Sequence, residues 1–284
     1  MTSIRLCILT LLAMTAFAGN SLFCRLALKN TSIDAATFSF IRIVSGALAL
    51  WLVVRVRKEG PKAGSWLSAF ALFAYAAAFS FAYLSLSAGT GALLLFGAVQ
   101  ATMIIWGLRK GERLRLWQMV GLMLALGGLV VLLFPGLSAP PLGGSILMLG
   151  AGIAWGIYSL RGQAADDPIC ETAGNFWRAV PLAAVLSVAL MPWAKLDRAG
   201  IGYAILSGAI ASGMGYAIWY TALPGLKAAA AAAVQLSVPV LAAAGGILFL
   251  DESITLRFLL ASVAVLGGIV LVVIEKRRAL TPVE

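Results

Sequence analysis

The sequence predicts an all-α integral membrane protein of ten transmembrane helices, arranged as two five-helix repeats of inverted topology. Three observations carry this. Of its 284 residues, 62% are hydrophobic and only 11% charged, against about 25% charged in soluble domains. Ten apolar stretches of roughly 17–24 residues are each long enough to cross a bilayer core as a helix. Finally, an arginine stands twice inside apolar sequence in matching surroundings. Phe40, Arg42, Val44, Ala47 and Leu50 reappear 136 residues later as Phe176, Arg178, Val180, Ala183 and Leu186. A guanidinium at helix mid-depth costs at least about 2.5–3.5 kcal/mol in lipid, so placing it twice points to a duplicated unit.

The stretches lie near residues 4–25, 35–55, 65–87, 90–108, 115–134, 142–160, 171–192, 199–222, 226–249 and 256–274. The weak alternation of barrel strands is absent, which leaves helices as the spanning element. The opening residues carry the ingredients of a secretory leader: Arg5, an apolar core, and Ala16-Phe17-Ala18 before Gly19. They are read as a retained first span, because their removal would spoil the repeat.

Span 1 ends in Ala18-Gly19-Asn20-Ser21-Leu22-Phe23-Cys24-Arg25, where small and polar residues permit close helix approach or line a cavity. Span 6 holds a faint copy, Ala154-Trp155-Gly156-Ile157-Tyr158-Ser159-Leu160-Arg161, at the same offset. In span 3, Tyr75, Phe79 and Tyr83 follow i, i+4, i+8 and share one helix face. A buried phenol needs a partner for its hydroxyl. That face therefore looks into the bundle, or it is aromatic core packing with an interfacial belt.

Span 4 carries Phe96 and Gln100, and span 9 has Gln235 at an offset of 135. An intramembrane glutamine wants hydrogen-bond partners, either in a helix–helix clamp or in a cavity. Glu112 opens span 5, ahead of Gly127-Gly128; Glu252 opens span 10, ahead of Gly267-Gly268. Both glutamates are read as caps stabilised by the helix dipole, and both glycine pairs as close helix contacts.

Span 8 contains Ser212-Gly213-Met214-Gly215-Tyr216. Span 9 opens with six alanines, 228–233, and reaches Pro239, which frees a carbonyl one turn earlier and kinks its helix. Such a kink is a hinge or site wall, or it is inert. The rigid, uncharged stretch 134–141 divides the chain into a first repeat, 1–137, and a second, 138–284. Because each half has an odd number of spans, the second copy enters the membrane upside down, the arrangement of many secondary transporters.

The net charge of +10 is explained by orientation. With a cytoplasmic N-terminus, one side collects Arg5, Arg55, Arg57, Lys58, Lys62, Arg109, Lys110, Arg113, Arg115, Arg161, Lys227, Lys276, Arg277 and Arg278. The other side has Lys29, Lys195, Arg198 and Arg257. This is the positive-inside bias, and it puts both termini in the cytoplasm without any nucleic-acid partner.

Cys7, Cys24 and Cys170 show no metal or disulfide spacing, and there is no histidine. No cofactor and no metal site is expected. All eleven acids lie in loops or at span ends, so no mid-membrane carboxylate is available to carry a proton. A phosphate loop with lysine is absent too. A channel would need more polar lining. An enzyme would need a nucleophile–base pair that the chain lacks. A facilitative or weakly coupled transporter remains.

The chain resembles the drug/metabolite transporter superfamily in its ten-span EamA branch. The carrying residues are Pro239-Val240, Gly245-Gly246 and Leu250-Asp251-Glu252 leading to Leu266-Gly267-Gly268. Gly111-Glu112 to Leu126-Gly127-Gly128 echoes them in the first half, and Phe40-x-Arg42 and Phe176-x-Arg178 also fit. The aromatic span 3 and the Ala154–Tyr158 segment are most similar to the bacterial aromatic amino-acid exporters. That resemblance implies a central cavity lined by spans 1, 3, 4, 6, 8 and 9, with spans 5 and 10 peripheral. Ile104 stands where the second half has Pro239, which argues against a symmetric hinge.

The expected function is export of aromatic and other neutral amino acids and related small metabolites across a bacterial cytoplasmic membrane, by a monomer in membrane lipid. Export of organic cations is the alternative. The candidate substrate-binding residues are Asn20, Tyr75, Phe79, Tyr83, Phe96, Gln100, Trp155, Tyr158, Tyr216 and Gln235, with Pro239 as a hinge. Arg42 and Arg178 are either donors to a substrate carboxylate, or braces for loop carbonyls that snorkel to headgroups.

Overall fold

A computed structural model describes residues 2–58, 64–111, 115–136, 139–162, 165–226, 231 and 234–280, with side chains up to 273 in the last helix. The described chain is helical throughout. Its helices are α1 (Ser3–Asn30), α2 (Ala35–Val56), α3 (Trp66–Ala82), α4 (Ala88–Arg109), α5 (Leu116–Leu133), α6 (Leu142–Gly162), α7 (Pro168–Ala189), α8 (Arg198–Gly225), α9 (Ser237–Leu250) and α10 (Leu256–Leu280). Seven of them, α1, α2, α4, α5, α6, α8 and α10, are long and apolar enough to cross a membrane. α3 and α9 are apolar but shorter. α7 has 22 residues and interrupts its apolar run with Glu171, Asn175 and Arg178.

Helix starts follow short polar side chains that accept the unpaired first-turn N–H groups. Asp34 caps α2 through Ala36 and Thr37, Ser87 caps α4 through Thr90, and Asp167 caps α7 through Ile169 and Cys170. The sequence placed Glu252 at the head of the last helix, and the structure corrects this. Thr255 caps α10, accepting from Phe258 N–H at 3.1 Å. Glu252 reaches α4 instead, accepting the Ala88 N–H at 2.8 Å. The turn after α9, with Asp251 in the left-handed region at φ 52°, swings it beneath α4. Glu112 lies outside the described residues, as do all the alanines of 228–233 except Ala231.

The helix pairs run up and down. Arg57, just past α2, lies 3.7 Å from Asp167 at the head of α7. Asp34, at the head of α2, accepts the Lys195 N–H beyond the end of α7 at 2.9 Å. The helices carrying the repeated arginine motif therefore pack antiparallel. α5 and α10 are also antiparallel: a Cβ on Gly121 would lie 2.5 Å from Gly268 O, and one on Gly128 would lie 2.8 Å from Ala264 Cβ. One glycine of each pair makes the expected close contact. Gly127 and Gly267 face open space. This alternation gathers Arg57, Arg109, Lys110, Arg115 and Arg161 at one end, and Lys29, Lys195, Arg198 and Arg257 at the other.

The sequence reading missed one feature of α8. Its middle, Leu206–Met214, winds as a π-helix, a form found often at functional sites. This segment packs closely on α2. A Cβ on Gly208 would overlap the Arg42 carbonyl and Ser45 Oγ, and one on Gly213 would lie 3.0 Å from Ala49 Cβ. Ser207-Gly208 and Ser212-Gly213 repeat at a spacing of five, which keeps small residues on one face of an i→i+5 turn.

Candidate functional site

Near the middle of the bundle the helices enclose a cavity of about 30 Å³, room for about two water molecules. α1 contributes Phe17, Asn20 and Ser21; α3 contributes Tyr75 and Phe79; α4 contributes Leu95 and Phe96. Trp155 comes from α6, Ala211 and Tyr216 from α8, and Gln235 stands ahead of α9. Seven of the residues selected from sequence thus converge: Asn20, Tyr75, Phe79, Phe96, Trp155, Tyr216 and Gln235.

Aromatic rings account for how little space is left. Trp155 is central, its ring 4.9 Å from Tyr75, 5.3 Å from Tyr158 and 5.1 Å from Tyr216, stacked on the last two. Tyr75 continues to Phe79 at 5.4 Å, and Phe79 meets Tyr83 edge-on at 4.7 Å. Phe17 closes the α1 side against Tyr216 at 5.7 Å. Each such pair contributes about 0.5–1.5 kcal/mol beyond its buried area.

A polar chain meets the aromatic wall at Tyr75. Ser207 Oγ donates to Asn20 Oδ1 at 2.6 Å, Asn20 Nδ2 donates to the Tyr75 hydroxyl at 3.0 Å, and Arg42 Nη2 donates to the same hydroxyl at 3.1 Å. Arg42 is only 2% exposed. Its guanidinium lies 4.8 Å from the Phe79 ring and 5.2 Å from the Tyr75 ring. Cation–π contacts of about 0.5–2 kcal/mol each offset part of the cost of its burial. Among the described residues no carboxylate pairs with it, and its Nη1 has no partner.

The remaining selected residues lie elsewhere. Tyr83 is fully buried beneath the cavity and donates to Ala88 O at 3.2 Å, a packing position. Tyr158 stacks behind Trp155 and donates to Thr172 at 3.2 Å, toward the basic end. Gln100 turns to the α5–α10 side, into a narrow cleft with Gly97, Leu122 and Ile269. Arg178 is half-buried, 5.7 Å from the Trp66 ring, so the two arginines of the repeated motif occupy different surroundings. Pro239 is the third residue of α9, where a missing N–H costs little. The helical run breaks at Leu236, between Gln235 and that proline.

Sequence reasoning missed Phe17, Leu95, Ala211 and Ser207, while Ser21 lay in the small and polar stretch of span 1 already read as close helix contact or cavity lining. Ser207 had a signal in the small-residue spacing of α8; the apolar ones had none. A larger cavity of about 230 Å³ lies at the opposite end, lined by Ser85, Ser87, Thr90, Glu252, Thr255 and Phe258 among others. Glu252 is already paired with Arg25 at 3.2 Å there.

The profile of the EamA-like transporter family matches the chain twice, over residues 4–134 and 142–274. The chain belongs to the EamA family. An uncharacterized protein of Pseudomonas aeruginosa is 57% identical over 270 residues, 94% of each chain. The uncharacterized transporter YoaV of Bacillus subtilis is 23% identical, covering 84% of this chain and 86% of its own. The threonine/homoserine exporter RhtA of Salmonella typhimurium is 33% identical over 132 residues, 44% of this chain and 43% of its own. A crystal structure of a protein 18% identical shares the fold, with a TM-score of 0.66 over 93% of this chain and 97% of that one. This EamA protein is therefore a multi-pass membrane transporter of the drug/metabolite transporter superfamily, acting on a small-molecule substrate.

Proposed function

We propose that this EamA protein exports amino acids, aromatic and other neutral ones, with related small metabolites, across the bacterial cytoplasmic membrane by alternating access. The observation that carries this is the cavity where Tyr75, Phe79, Trp155 and Tyr216 meet Asn20 and Gln235. Its aromatic walls suit apolar side chains, and its amides and hydroxyls suit a zwitterionic head. With room for about two waters, the site is too small for an amino acid, and a substrate fits only when the rings around Trp155 separate.

The accompanying architecture is ten crossings, in repeats 1–137 and 138–284 inserted in opposite senses, around a monomer with both termini cytoplasmic. The antiparallel pairing of α2 with α7, and of α5 with α10, supports the inversion. The gathering of basic residues at one end supports the orientation. The substrate of RhtA, an amino-acid exporter by name, supports the ligand class.

Organic cations fit less well. Arg42 is buried behind two of the cavity rings, and among the described residues no carboxylate neutralises it, so the site carries positive potential. That repels a cation and attracts a carboxylate. Transport on this reading follows the substrate gradient, since no carboxylate is among the described residues that line the cavity.

Flux of labelled tryptophan, phenylalanine and threonine into proteoliposomes tests this. Equilibration without a pH gradient supports a facilitative amino-acid carrier. Transport of an organic dication without amino-acid flux, or a dependence on the pH gradient as steep as that on substrate, overturns it.

A further inference from the structure

Two donors converge on one oxygen in the cavity wall. The Tyr75 hydroxyl accepts from Asn20 Nδ2 at 3.0 Å and from Arg42 Nη2 at 3.1 Å. A hydroxyl oxygen has two acceptor positions and one proton. With both positions occupied, the oxygen has nothing further to accept, and the proton must find an acceptor elsewhere. Arginine cannot take it, because a guanidinium only donates.

The orientation of the Asn20 amide decides whether asparagine can take it. Asn20 meets Ser207 Oγ at 2.6 Å, within the range for O–H···O and short for N–H···O. The 3.0 Å contact to Tyr75 has the length of an N–H···O bond. The amide oxygen therefore faces Ser207 and the nitrogen faces Tyr75. Ser207 thereby fixes Asn20 as a donor to Tyr75. Among the described residues nothing accepts the Tyr75 proton, and Tyr75 lines the cavity.

We propose that the Tyr75 hydroxyl is a dedicated hydrogen-bond donor to an anionic oxygen of the substrate, its carboxylate on the amino-acid reading, on which this inference rests. Arg42 is a positioning residue that acts on the substrate through Tyr75. It is not among the cavity-lining residues, and its guanidinium sits behind the rings of Tyr75 and Phe79. The positive charge withdraws electron density from the phenol oxygen and strengthens its O–H as a donor, as hydrogen bonds to charged groups are strengthened generally. The chain Ser207 to Asn20 to Tyr75 ties α8 to α1 and α3 at this depth and sets the polarity of one hydroxyl.

The test compares two ligands that differ only in the carboxylate, tryptophan and tryptamine, binding to the purified full-length protein in lipid nanodiscs. Tyr75→Phe keeps the ring and removes the proton. It is expected to weaken tryptophan about tenfold or more, the worth of a hydrogen bond to a charged group, while leaving tryptamine nearly unchanged. Arg42→Gln is expected to lower the same preference with Tyr75 still present.

A Tyr75→Phe protein that keeps the wild-type preference for tryptophan overturns the assignment. If Arg42→Gln alone then abolishes that preference, the arginine contacts the carboxylate directly. Equal weakening of both ligands by Tyr75→Phe also overturns it, making the tyrosine a wall. Failure of the amino-acid reading shows in the wild-type protein, as tryptamine bound in preference to tryptophan. Failure of the Tyr75 assignment shows only in the variant.

Discussion

Arg25 Nε lies 3.2 Å from Glu252 Oε1, and the second oxygen of the same carboxylate accepts the Ala88 N–H at 2.8 Å. One glutamate thus joins α1, the α9–α10 turn and the head of α4. Arg25 adds a bond to Tyr83 O at 2.8 Å, at the end of α3. Glu252→Gln leaves Arg25 half-buried without its counter-charge. It is expected to cost about 2–4 kcal/mol, read as a lowered unfolding midpoint in detergent. An unchanged midpoint would show that the junction is redundant.

Trp155 touches three other cavity-region rings, so its loss removes the centre of the aromatic wall. Trp155→Ala is expected to reduce tryptophan flux about tenfold, the worth of two aromatic contacts, and Trp155→Phe to restore most of it. Flux that tolerates alanine would move the substrate path away from this cavity.

The adjacent glycines of α5 separate packing from propensity. A Cβ on Gly128 meets Ala264 Cβ at 2.8 Å, whereas one on Gly127 meets nothing within 4 Å. Gly128→Ala is expected to destabilise the α5–α10 contact by about 1–3 kcal/mol. Gly127→Ala should be neutral or stabilising by up to about 1 kcal/mol. Thermal unfolding of the two single variants side by side checks this, and equal effects would argue against the close contact.

Asp34 gives the molecule an acid-sensitive tie at the end opposite the basic cluster. Burial pushes its carboxyl up, but bonds from the Thr37 hydroxyl and from the Thr37, Lys195 and Ala36 N–H groups outweigh that and hold it below the ordinary carboxylate value. A carboxyl depressed in the folded state stabilises above its unfolded pKa of about 3.9. That stability drains as pH falls through the folded value. The unfolding midpoint is therefore expected to be flat in this contribution from pH 7 to about 5, and to decline below about 4. Asp34→Asn should remove that part of the decline; an identical acid profile would assign it to other groups.

The repeated arginines should respond differently. Arg178→Gln loses a contact with the partly exposed Trp66 ring, worth about 0.5–1 kcal/mol, and should leave transport close to wild type. Arg42→Gln should impair it. Equal losses would restore a symmetric role.

The sequence by itself determined the helices, their order and most of their bounds, because a bilayer core imposes length and apolarity on each crossing separately. The duplicated motif was legible for the same reason: a costly arginine in lipid stands out in any window. It also named the aromatic face of Tyr75 and Phe79, since helical spacing alone puts them together. Tertiary structure decided what surrounds each of the two matched arginines. Arg42 was drawn inward between Tyr75 and Phe79 while Arg178 settled on Trp66, because the neighbours of α2 and α7 differ. Gln100 and Gln235, matched in sequence, face different spaces for that reason. The π-helical turn of α8 and the Ser207–Asn20–Tyr75 chain depend on how closely the Gly208 backbone approaches Arg42. That distance is set by the packing of two helices some 165 residues apart; the small-residue spacing of α8 permits the approach but does not name its partner.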